Sequence, residues 1–542
     1  MPPQGDRAEG ALFVERAVRA AARAGNRLLS GNRAHVAVSE PGQRDALLVA
    51  LARMGVRLVA DRHHADFEFV DTLPQTIDAG PERERRGDAL PLTVVALDGG
   101  VQSARANDAA SKIVWAAQGM PTTARLAREL RTGLDSDAGH PPRIAVSLVL
   151  EPKTAAFASA LADAGCEVAV FSAVSETDPE VARALAADAR VAVFAPTGTV
   201  DAHSSDAARL DAEHARGVLS WGAEYLIDDG SHLIRLAHTE YREALSVLRG
   251  AAEETTSGVR PLREMEAEQA LSIPVIAVND ARTKTDFDNL IGTGQSCVFA
   301  IADVLEAADG ESYAGVRGSR WTVLGYGPVG VGVARFAAAL GAEITVIERD
   351  AVRALSALHD GFEARRSAEA LESADVVVSA TGVWHTVGVH ELAQLRPGTV
   401  VAVAGGIDDE IALDDAVAAG WTRRQVNADQ NYDVGEWRAP GAEHGVRVLA
   451  EGGGINYTAA EGNPIEVMDL SFATQLAALS RLIREDLPAG VHTIRPEDER
   501  LVAAAALAAR AGSTDPAPSD ARPGGAAQPW RVHRYGGGQW SL

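Results

Sequence analysis

The sequence is poor in cysteine and lacks long apolar runs. Its two cysteines, Cys166 and Cys297, cannot build a disulfide framework, and neither lies at a spacing typical of metal ligands. The first residues have no apolar core of signal-peptide length, and no later run of about eighteen apolar residues would span a bilayer. These absences predict a cytoplasmic protein without a membrane partner.

Positive charge is scarce as well. Lys and Arg number 51 against 75 Asp and Glu, which gives a formal net charge of -24 at pH 7. This argues against nucleic acid or an anionic membrane surface as the main partner, because both favour basic proteins. We expect a small-molecule substrate instead. With 542 residues, of which 46% are hydrophobic, the chain should form roughly three or four globular domains.

Lysine is rare, because arginine supplies almost every positive side chain. The three lysines are Lys112, Lys153 and Lys284. Arginine stays protonated in proteins, whereas a buried lysine can lose its proton and act as a base. The polar neighbours of Lys284 are Asp280, Asp286, Asp288 and Asn289. From these neighbours alone, a general base and an incidental lysine in a solvated loop are about equally supported.

Carboxylates and hydroxyls follow two predicted strands. Asp228 and Asp229 come directly after the strand-like YLI, and the carboxyl ends of strands in open α/β sheets usually bind ligands. Residues 253–257, EETTS, form a second polar loop, which is either part of a site or a solvated turn with a threonine helix cap. The pair His63 and His64 is a weak metal candidate, and we expect no metal site.

The sequence WTVLGYGPVG is typical of a dinucleotide-binding turn. A strand leads into Gly325, Gly327 and Gly330, a helix follows, and the next strand ends at Glu348. The first glycine permits the tight turn, the second permits close approach of a pyrophosphate, and the third permits close helix packing. Glu348 can accept both hydroxyls of the adenosine ribose, which favours NAD over NADP, although Arg349 keeps NADP open.

Several motifs together resemble the S-adenosyl-L-homocysteine hydrolase family, from about Trp115 to Tyr535. They are IDDG with HTEY, RGAAEETTSGV, VNDARTKTDFDNLIG, GYGPVG, SATG, LAEGGGINY and EGNPIEVMDLSFATQ. The resemblance implies tightly held, catalytic NAD. It implies oxidation of a ribose 3'-hydroxyl, elimination of the 5' substituent, addition of water to the 4',5' double bond, and reduction of the ketone.

The resemblance also implies site residues. Lys284 and Asp288 would act on the 3'-hydroxyl with Lys284 as general base, Glu254 would bind the 2',3'-diol, and Asp229 would move protons near C4' and C5'. The residues implied for NAD are Thr255, Thr256, Ser257, Asn289, Gly325, Gly327, Val329, Gly330, Glu348, Thr381 and Asn456. Those implied for the substrate are Glu151, Lys153, Thr154 and Asn463.

Three histidines of the family pattern are absent near the substrate. The family's His-x-Thr-x-Glu, which holds the adenosine and helps to protonate the leaving group, is replaced by Val149, Glu151 and Lys153. Its Gly-His-Phe is Gly-Gly-Ile, with Gly406 at the histidine position, and its Gly-His-Pro has Asn463 there. The oxidising residues are kept, whereas the recognition residues differ. Without a histidine at position 149 an acid for the leaving group is lost, although Glu151 could substitute for it.

These departures lead to three functional hypotheses. The first is an NAD-dependent lyase or dehydratase that acts on another nucleoside, with transient 3'-oxidation driving elimination at C4' and C5'. The second is a divergent S-adenosyl-L-homocysteine hydrolase, and the third is an inactive NAD-binding regulator. The first is favoured because the pocket has changed, and the third is least favoured because the catalytic residues remain.

The predicted fold class is α/β, with a Rossmann NAD-binding domain inserted in a second α/β substrate-binding domain. The predicted units are an N-terminal α/β extension at 1–110, the substrate domain at 111–295 completed by about 463–495, the Rossmann domain at 305–458, and a C-terminal helix, linker and tail at 496–542. The family is typically tetrameric, so we expect a homo-oligomer. Arg531 and Tyr535 are candidates to reach a neighbouring NAD site.

Overall fold

A computed structural model describes residues 4–75, 90–133, 140–202, 204–405, 409–426 and 434–515. Gly406 lies outside these residues, as do the tail residues Arg531 and Tyr535. The predicted roles of the tail therefore stay predictions.

The N-terminal region forms a sheet of five short strands. Its strands are β1 (Arg33–Ala37), β2 (Arg57–Leu58), β3 (Phe67–Val70), β4 (Thr93–Ala96) and β5 (Val101–Gln102), and its helices are α1 (Gln4–Gly25) and α2 (Pro41–Arg53). The sheet order is β2-β1-β3-β4-β5, parallel except for β5 at one edge.

The next region alternates strands and helices. Its strands are β6 (Arg143–Ser147), β7 (Glu167–Phe171), β8 (Val191–Phe194), β9 (Tyr225–Asp228), β10 (Gly250–Glu253) and β11 (Pro274–Ala277). Its helices are α3 (Ala109–Gly119), α4 (Pro121–Gly133), α5 (Pro152–Asp163), α6 (Pro179–Ala186), α7 (Ser205–Ser220), α8 (His232–Thr239) and α9 (Thr256–Ala267). The strands read as short apolar runs because parallel strands are covered on both faces.

A long helical segment then leads away from this sheet. It consists of α10 (Arg282–Lys284), a π-helical segment (Thr285–Gly292) and α11 (Thr293–Asp309). By length and composition Arg282–Ser312 could cross a membrane, which differs from the expectation drawn from apolar runs, but 67% of its most apolar part is buried inside the structure. The segment is therefore explained as a core helix.

A second large sheet follows. Its strands are β12 (Arg320–Leu324), β13 (Glu343–Ile347), β14 (Glu363–Ala364), β15 (Val376–Ser379), β16 (Val400–Val403), β17 (Thr422–Gln425), β18 (Val434–Arg438) and β19 (Val446–Leu449). Its helices are α12 (Pro328–Leu340), α13 (Ala351–His359), α14 (Ser367–Ala370), α15 (Val389–Gln394) and α16 (Leu413–Ala418). The order is β14-β13-β12-β15-β16-β19-β18-β17, with antiparallel pairing at β18 and β17.

The chain then returns to the earlier sheet. The returning elements are α17 (Ile455–Thr458), α18 (Ile465–Arg484), β20 (Gly490–Thr493) and α19 (Pro496–Ala509). β20 pairs in parallel with β11, which completes a seven-stranded sheet of order β20-β11-β10-β9-β6-β7-β8. The eight-stranded sheet is thus inserted between β11 and β20 in the sequence. This confirms the predicted fold class, whereas the domain boundaries stay predictions.

The N-terminal region contacts both segments that join the two large sheets. Arg19 forms ion pairs with Asp303 and Glu306 of α11, and Arg27 Nε lies 2.5 Å from Glu466 Oε1 at the start of α18. Buried residues of α1, α11 and α12 belong to one continuous apolar cluster. The N-terminal extension therefore packs against both segments through which the chain passes between the two large sheets.

Candidate active site

One cavity of about 790 Å³ lies between the carboxyl ends of the two large sheets. Its walls bring together every predicted site residue except Gly330, which lies behind the glycine turn. Residues that are up to 312 positions apart in the sequence, such as Glu151 and Asn463, thus face one space. The geometry places the predicted residues together, and their individual roles stay predictions.

Lys284 is buried on this wall, with 4% of its surface exposed. Its Nζ donates to Asn289 Oδ1 at 2.6 Å and lies 2.9 Å from Asp288 Oδ2. The carboxylate of Glu254 is also close, with Oε1 3.6 Å from Nζ. The π-helical segment places residues four and five positions after Lys284 against the same ammonium, and such segments occur frequently at functional sites.

The carboxylates around Lys284 raise its pKa. Burial alone would lower this pKa, but the carboxylates of Asp288, Glu254 and Asp229 outweigh burial and hold it above the ordinary lysine value. The raised pKa favours the charged ammonium, which donates to Asn289 in this structure. The role of Lys284 as a general base stays a prediction.

Glu254 is held by two residues that the sequence prediction missed. Its Oε1 accepts a hydrogen bond from Ser471 Oγ and its Oε2 accepts one from Gln475 Nε2, both on α18. Burial raises the pKa of Glu254, and Lys284 acts in the opposite direction. Ser471 and Gln475 are polar positions on an almost wholly buried helix. Polar residues on a mostly buried helix are the sequence feature that could have indicated these contacts.

Asn279 is a second missed residue. Its Oδ1 accepts hydrogen bonds from Thr256 Oγ1 at 3.0 Å and from Asn289 Nδ2 at 2.9 Å. Asn279 follows β11 and thus ties the start of α9 to the π-helical segment. It fixes Asn289, which in turn accepts from Lys284.

The residues after β9 and β10 form one polar network. Thr255 is the N-cap of α9, so the predicted threonine helix cap in this loop is present. Its Oγ1 also accepts hydrogen bonds from Gly230 N at 2.9 Å and from Ser257 Oγ at 3.2 Å. Asp229 lines the cavity beside this network, and burial raises its pKa, with Lys284 the main opposing charge. A carboxyl group in that setting can exchange protons closer to neutral pH.

The glycine turn fits a dinucleotide. A β-carbon on Gly330 would lie 2.0 Å from the Gly325 carbonyl oxygen, and Gly325 has φ +89°, so both positions require glycine. At Gly327 an added carbon would approach nothing closer than Arg353 Nη1 at 3.6 Å. Val329 lines the same space at the N-terminus of α12. Open space above a helix N-terminus is where a pyrophosphate binds.

Two further features fit the rest of such a cofactor. Glu348 is fixed after β13, because its carboxylate accepts from Tyr326 N at 2.6 Å and Arg349 N at 2.7 Å. Asn456 Oδ1 is buried on the cavity wall without a hydrogen-bond partner among the described residues. An unpartnered buried oxygen of this kind calls for a ligand donor.

Thr381 is held by a carboxylate that the sequence prediction missed. Glu410 is fully buried and accepts hydrogen bonds from Thr381 Oγ1 at 3.0 Å and Gly382 N at 3.1 Å. Burial raises the pKa of Glu410, and the hydrogen bond from Ser379 is the main opposing effect. Glu410 thus fixes the loop after β15 that faces the glycine turn.

The cavity wall at the end of β6, the predicted substrate side, has a buried ion pair. Lys153 Nζ donates to Glu151 Oε2 at 2.6 Å and to the Glu461 carbonyl oxygen at 2.9 Å. Glu151 is also the N-cap of α5, and Thr154 Oγ1 donates to the Val149 carbonyl oxygen at 2.7 Å. Three predicted substrate residues therefore cluster at the end of β6.

Asn463 is hydrogen-bonded to the residues beside Lys284. Its Nδ2 donates to Asp288 Oδ1 at 2.6 Å and to Thr293 Oγ1 at 2.9 Å, and its Oδ1 accepts from Asn456 Nδ2 at 3.1 Å. Asn463 thus orients Asp288. Within the described ranges, no group of three or more His, Cys, Asp or Glu side chains is arranged to hold a metal ion.

Comparison with known proteins agrees with this geometry. Residues 296–462 match the family model described as S-adenosyl-L-homocysteine hydrolase, NAD binding domain. The chain is 34% identical over 400 residues to an adenosylhomocysteinase of Archaeoglobus fulgidus, covering 72% of this chain and 92% of that protein. It is 35% identical over 402 residues to an S-inosyl-L-homocysteine hydrolase of Methanocaldococcus jannaschii, covering 73% and 91%. An adenosylhomocysteinase of Thermotoga maritima is 34% identical over 381 residues, covering 70% and 88%.

These matches extend over most of the chain and of each relative, and they include the domain that binds NAD. The chain therefore belongs to the family of adenosylhomocysteinases and S-inosyl-L-homocysteine hydrolases, as a divergent member with that family's NAD-binding domain.

Proposed function

We propose that this protein hydrolyses the thioether of an S-nucleosidyl-L-homocysteine through transient oxidation of the ribose 3' carbon. The observation that carries this proposal is the position of Lys284. Its ammonium is bound to Asp288 and Asn289 on the wall shared by the substrate side and the glycine turn. A charged donor and a carboxylate together can bind and deprotonate a sugar hydroxyl at that boundary.

Bound NAD supplies the acceptor for the hydrogen at the 3' carbon. The chain's own residues hold the sugar and move its protons. Glu254 offers its carboxylate to the vicinal hydroxyls, while Ser471 and Gln475 keep that carboxylate in place. Asp288 accepts the 3'-hydroxyl proton, and Lys284 stabilises the developing negative charge on the oxygen. This assignment replaces the expectation that Lys284 itself is the neutral base.

A ketone at the 3' carbon makes the neighbouring C4' hydrogen acidic. Asp229 is the candidate to remove that hydrogen, because it lines the cavity and burial raises its pKa. Loss of the C4' proton and cleavage of the bond between C5' and sulfur give the 4',5' alkene. Addition of water to C5' and return of a proton to C4' complete the replacement of the thiol by a hydroxyl.

Lys153 favours a 6-oxopurine as the base. Its ammonium can only donate, and two of its three N–H groups are taken by Glu151 and by the Glu461 carbonyl. Hypoxanthine presents two neighbouring acceptors, O6 and N7, whereas adenine presents an amino donor beside N7, by analogy with guanine and adenine in the major groove. We therefore favour S-inosyl-L-homocysteine over S-adenosyl-L-homocysteine as substrate.

A direct assay tests this function. Purified protein that carries NAD is incubated with either nucleosidyl homocysteine, and free thiol and nucleoside are measured. Release of homocysteine with formation of inosine supports the proposal. Absence of thiol from both compounds would contradict it, and faster cleavage of the adenosyl compound would overturn the assignment of Lys153.

A dehydratase that stops at the alkene is the second candidate. Val149 favours the dehydratase, because its side chain cannot donate or accept a proton and it replaces a histidine that the family uses near the leaving group. The relatives are named as hydrolases, which supports hydrolysis more strongly. The product mass separates the two, since the alkene is about one water lighter than the nucleoside. Any turnover would exclude an inactive regulator.

A further inference from the structure

The absence of three histidines leaves the proton for the departing thiol without an obvious donor. Val149 cannot supply it, and Asn463 is engaged with Asp288 and Thr293. Glu151, which could substitute, is bound to Lys153 Nζ and to backbone N–H groups at the start of α5. Among the described residues that line the cavity, one is a histidine, His232. It is the second residue after Gly230 and the first of α8, and none of the roles assigned above uses it. The following inference rests on the proposed hydrolysis.

The loop that presents His232 is held rigidly. Gly230 and Ser231 both have left-handed backbone conformations, with φ +69° and φ +54°. The buried carboxylate of Glu253 accepts from Gly230 N at 3.0 Å and from Ser231 N at 2.8 Å. Asp228 accepts from Ile234 N at 2.9 Å on the far side of His232. The left-handed conformation is strained only at Ser231, which carries a β-carbon, and strained residues held by buried groups cluster at functional sites.

The imidazole ring lies over Gly230. A β-carbon on that glycine would lie 2.6 Å from His232 Nε2 and 2.8 Å from Cδ2, so the absence of a side chain at Gly230 makes room for the ring. His232 is exposed to the cavity. Within the part of the chain that the structure describes, neither ring nitrogen has a hydrogen-bond partner. Both nitrogens are therefore free to bind substrate.

The charged groups around His232 suit the sulfur end of the substrate. Asp229 lies on the same loop, and a positive charge on His232 opposes the burial that raises the pKa of Asp229. Arg235 is one helical turn further along α8, is exposed, and forms no ion pair in the described ranges. Glu176 and Arg260 also line the cavity. An arginine on the cavity wall near His232 fits the carboxylate of the homocysteine tail.

We propose that His232 is the acid and base for the 5' substituent. As the C4' proton leaves, the C4'–H electron pair forms the 4',5' double bond and the C5'–S pair moves to sulfur, which takes the His232 proton and departs as a thiol. The neutral imidazole then takes a proton from water as the water oxygen bonds to C5' and C4' regains its proton. His232 ends protonated, ready for the next cycle.

The test separates deprotonation at C4' from release of the thiol. Wild type and His232→Gln, both carrying NAD, are incubated in heavy water with the nucleosidyl homocysteine that the wild type cleaves. We expect deuterium exchange at C4' to continue in the variant, while thiol release falls by about 100-fold, at the lower end of general acid catalysis. A 4-nitrophenyl thioether, whose thiol leaves without a proton, should be cleaved by the variant nearly as fast as by the wild type.

His359→Gln is the matched control, because His359 is an exposed histidine on α13 outside the cavity. Unchanged thiol release by His232→Gln would overturn the inference, and so would equal loss of exchange and release, which would place His232 before elimination. Equal thermal denaturation midpoints for both variants show that folding is intact. A wild type that shows neither exchange nor cleavage would refute the proposed function itself, and the inference with it.

Discussion

Replacing Lys284 with methionine leaves two buried carboxylates without their cation. Asp288 and Glu254 are 3% and 5% exposed, and both lie within 3.6 Å of the ammonium. Removing one partner of a buried ion pair typically costs about 3–5 kcal/mol, because the remaining charge is left in a poorly solvated site. At about 2–4 °C per kcal/mol for a domain of 150–250 residues, the denaturation midpoint should fall by roughly 6–20 °C.

Calorimetry or circular dichroism measures this midpoint in protein with matched NAD content. Lys284→Arg keeps the charge and should lose much less stability than the methionine variant. The double change Lys284→Met with Asp288→Asn removes one of the two unpaired carboxylates, so it should be more stable than Lys284→Met alone. A methionine variant as stable as the wild type would refute the claim that Lys284 balances these carboxylates.

The remaining predictions concern other parts of the cavity. Gly330→Ala places a carbon 2.0 Å from Gly325 O, so the NAD released on denaturation should fall well below the wild-type content; equal content would contradict the turn's assignment. Lys153→Met should lower the ratio of kcat/KM for inosyl over adenosyl substrate roughly 10-fold or more, the value of one charged hydrogen bond, whereas an unchanged ratio would remove Lys153 from base selection. Burial raises the pKa of Asp228 from 3.8 to about 6, so the folded state holds its proton more tightly than the unfolded state and stability falls as pH rises from about 4 to about 6. Asp228→Asn should reduce that fall in denaturation curves measured across this range, and an identical pH dependence would contradict it.

Local patterns allowed much of the cofactor side to be predicted. The spacing of Gly325, Gly327 and Gly330 after an apolar strand is dictated by one tight turn, and the structure requires glycine at two of these positions. Asp288 follows Lys284 by four residues, so the sequence alone indicated that they could meet. Such contacts depend on neighbours in the chain, which a single sequence displays.

Contacts between distant segments could not be predicted in the same way. Ser471 and Gln475 hold Glu254 across more than two hundred residues, and only the return of the chain from the second sheet brings them together. The direction of the Lys284 pKa likewise depends on distances, because burial and three carboxylates act in opposite directions. No residue pattern in the segment Thr285–Gly292 predicted its π-helical form.

Comparison with the family motifs did not identify His232 as a residue of the cavity. The family pattern directs attention to the positions of Val149 and Asn463, where histidines are missing. The histidine that lines the cavity is at another position, on a loop whose shape depends on Glu253 and on the left-handed residues Gly230 and Ser231. The sequence contained the residue, but its place on the cavity wall required the fold.

In the proposed reaction, oxidation at the 3' carbon activates C4' for loss of a homocysteine thiol. The most direct measurement is mass spectrometry of the products after incubating the NAD-containing protein with S-inosyl-L-homocysteine in heavy water. We expect free homocysteine together with inosine that carries deuterium at C4'. Thiol release at an unchanged rate from protein stripped of its NAD would rule this mechanism out, because the 3' carbon would then not be oxidised.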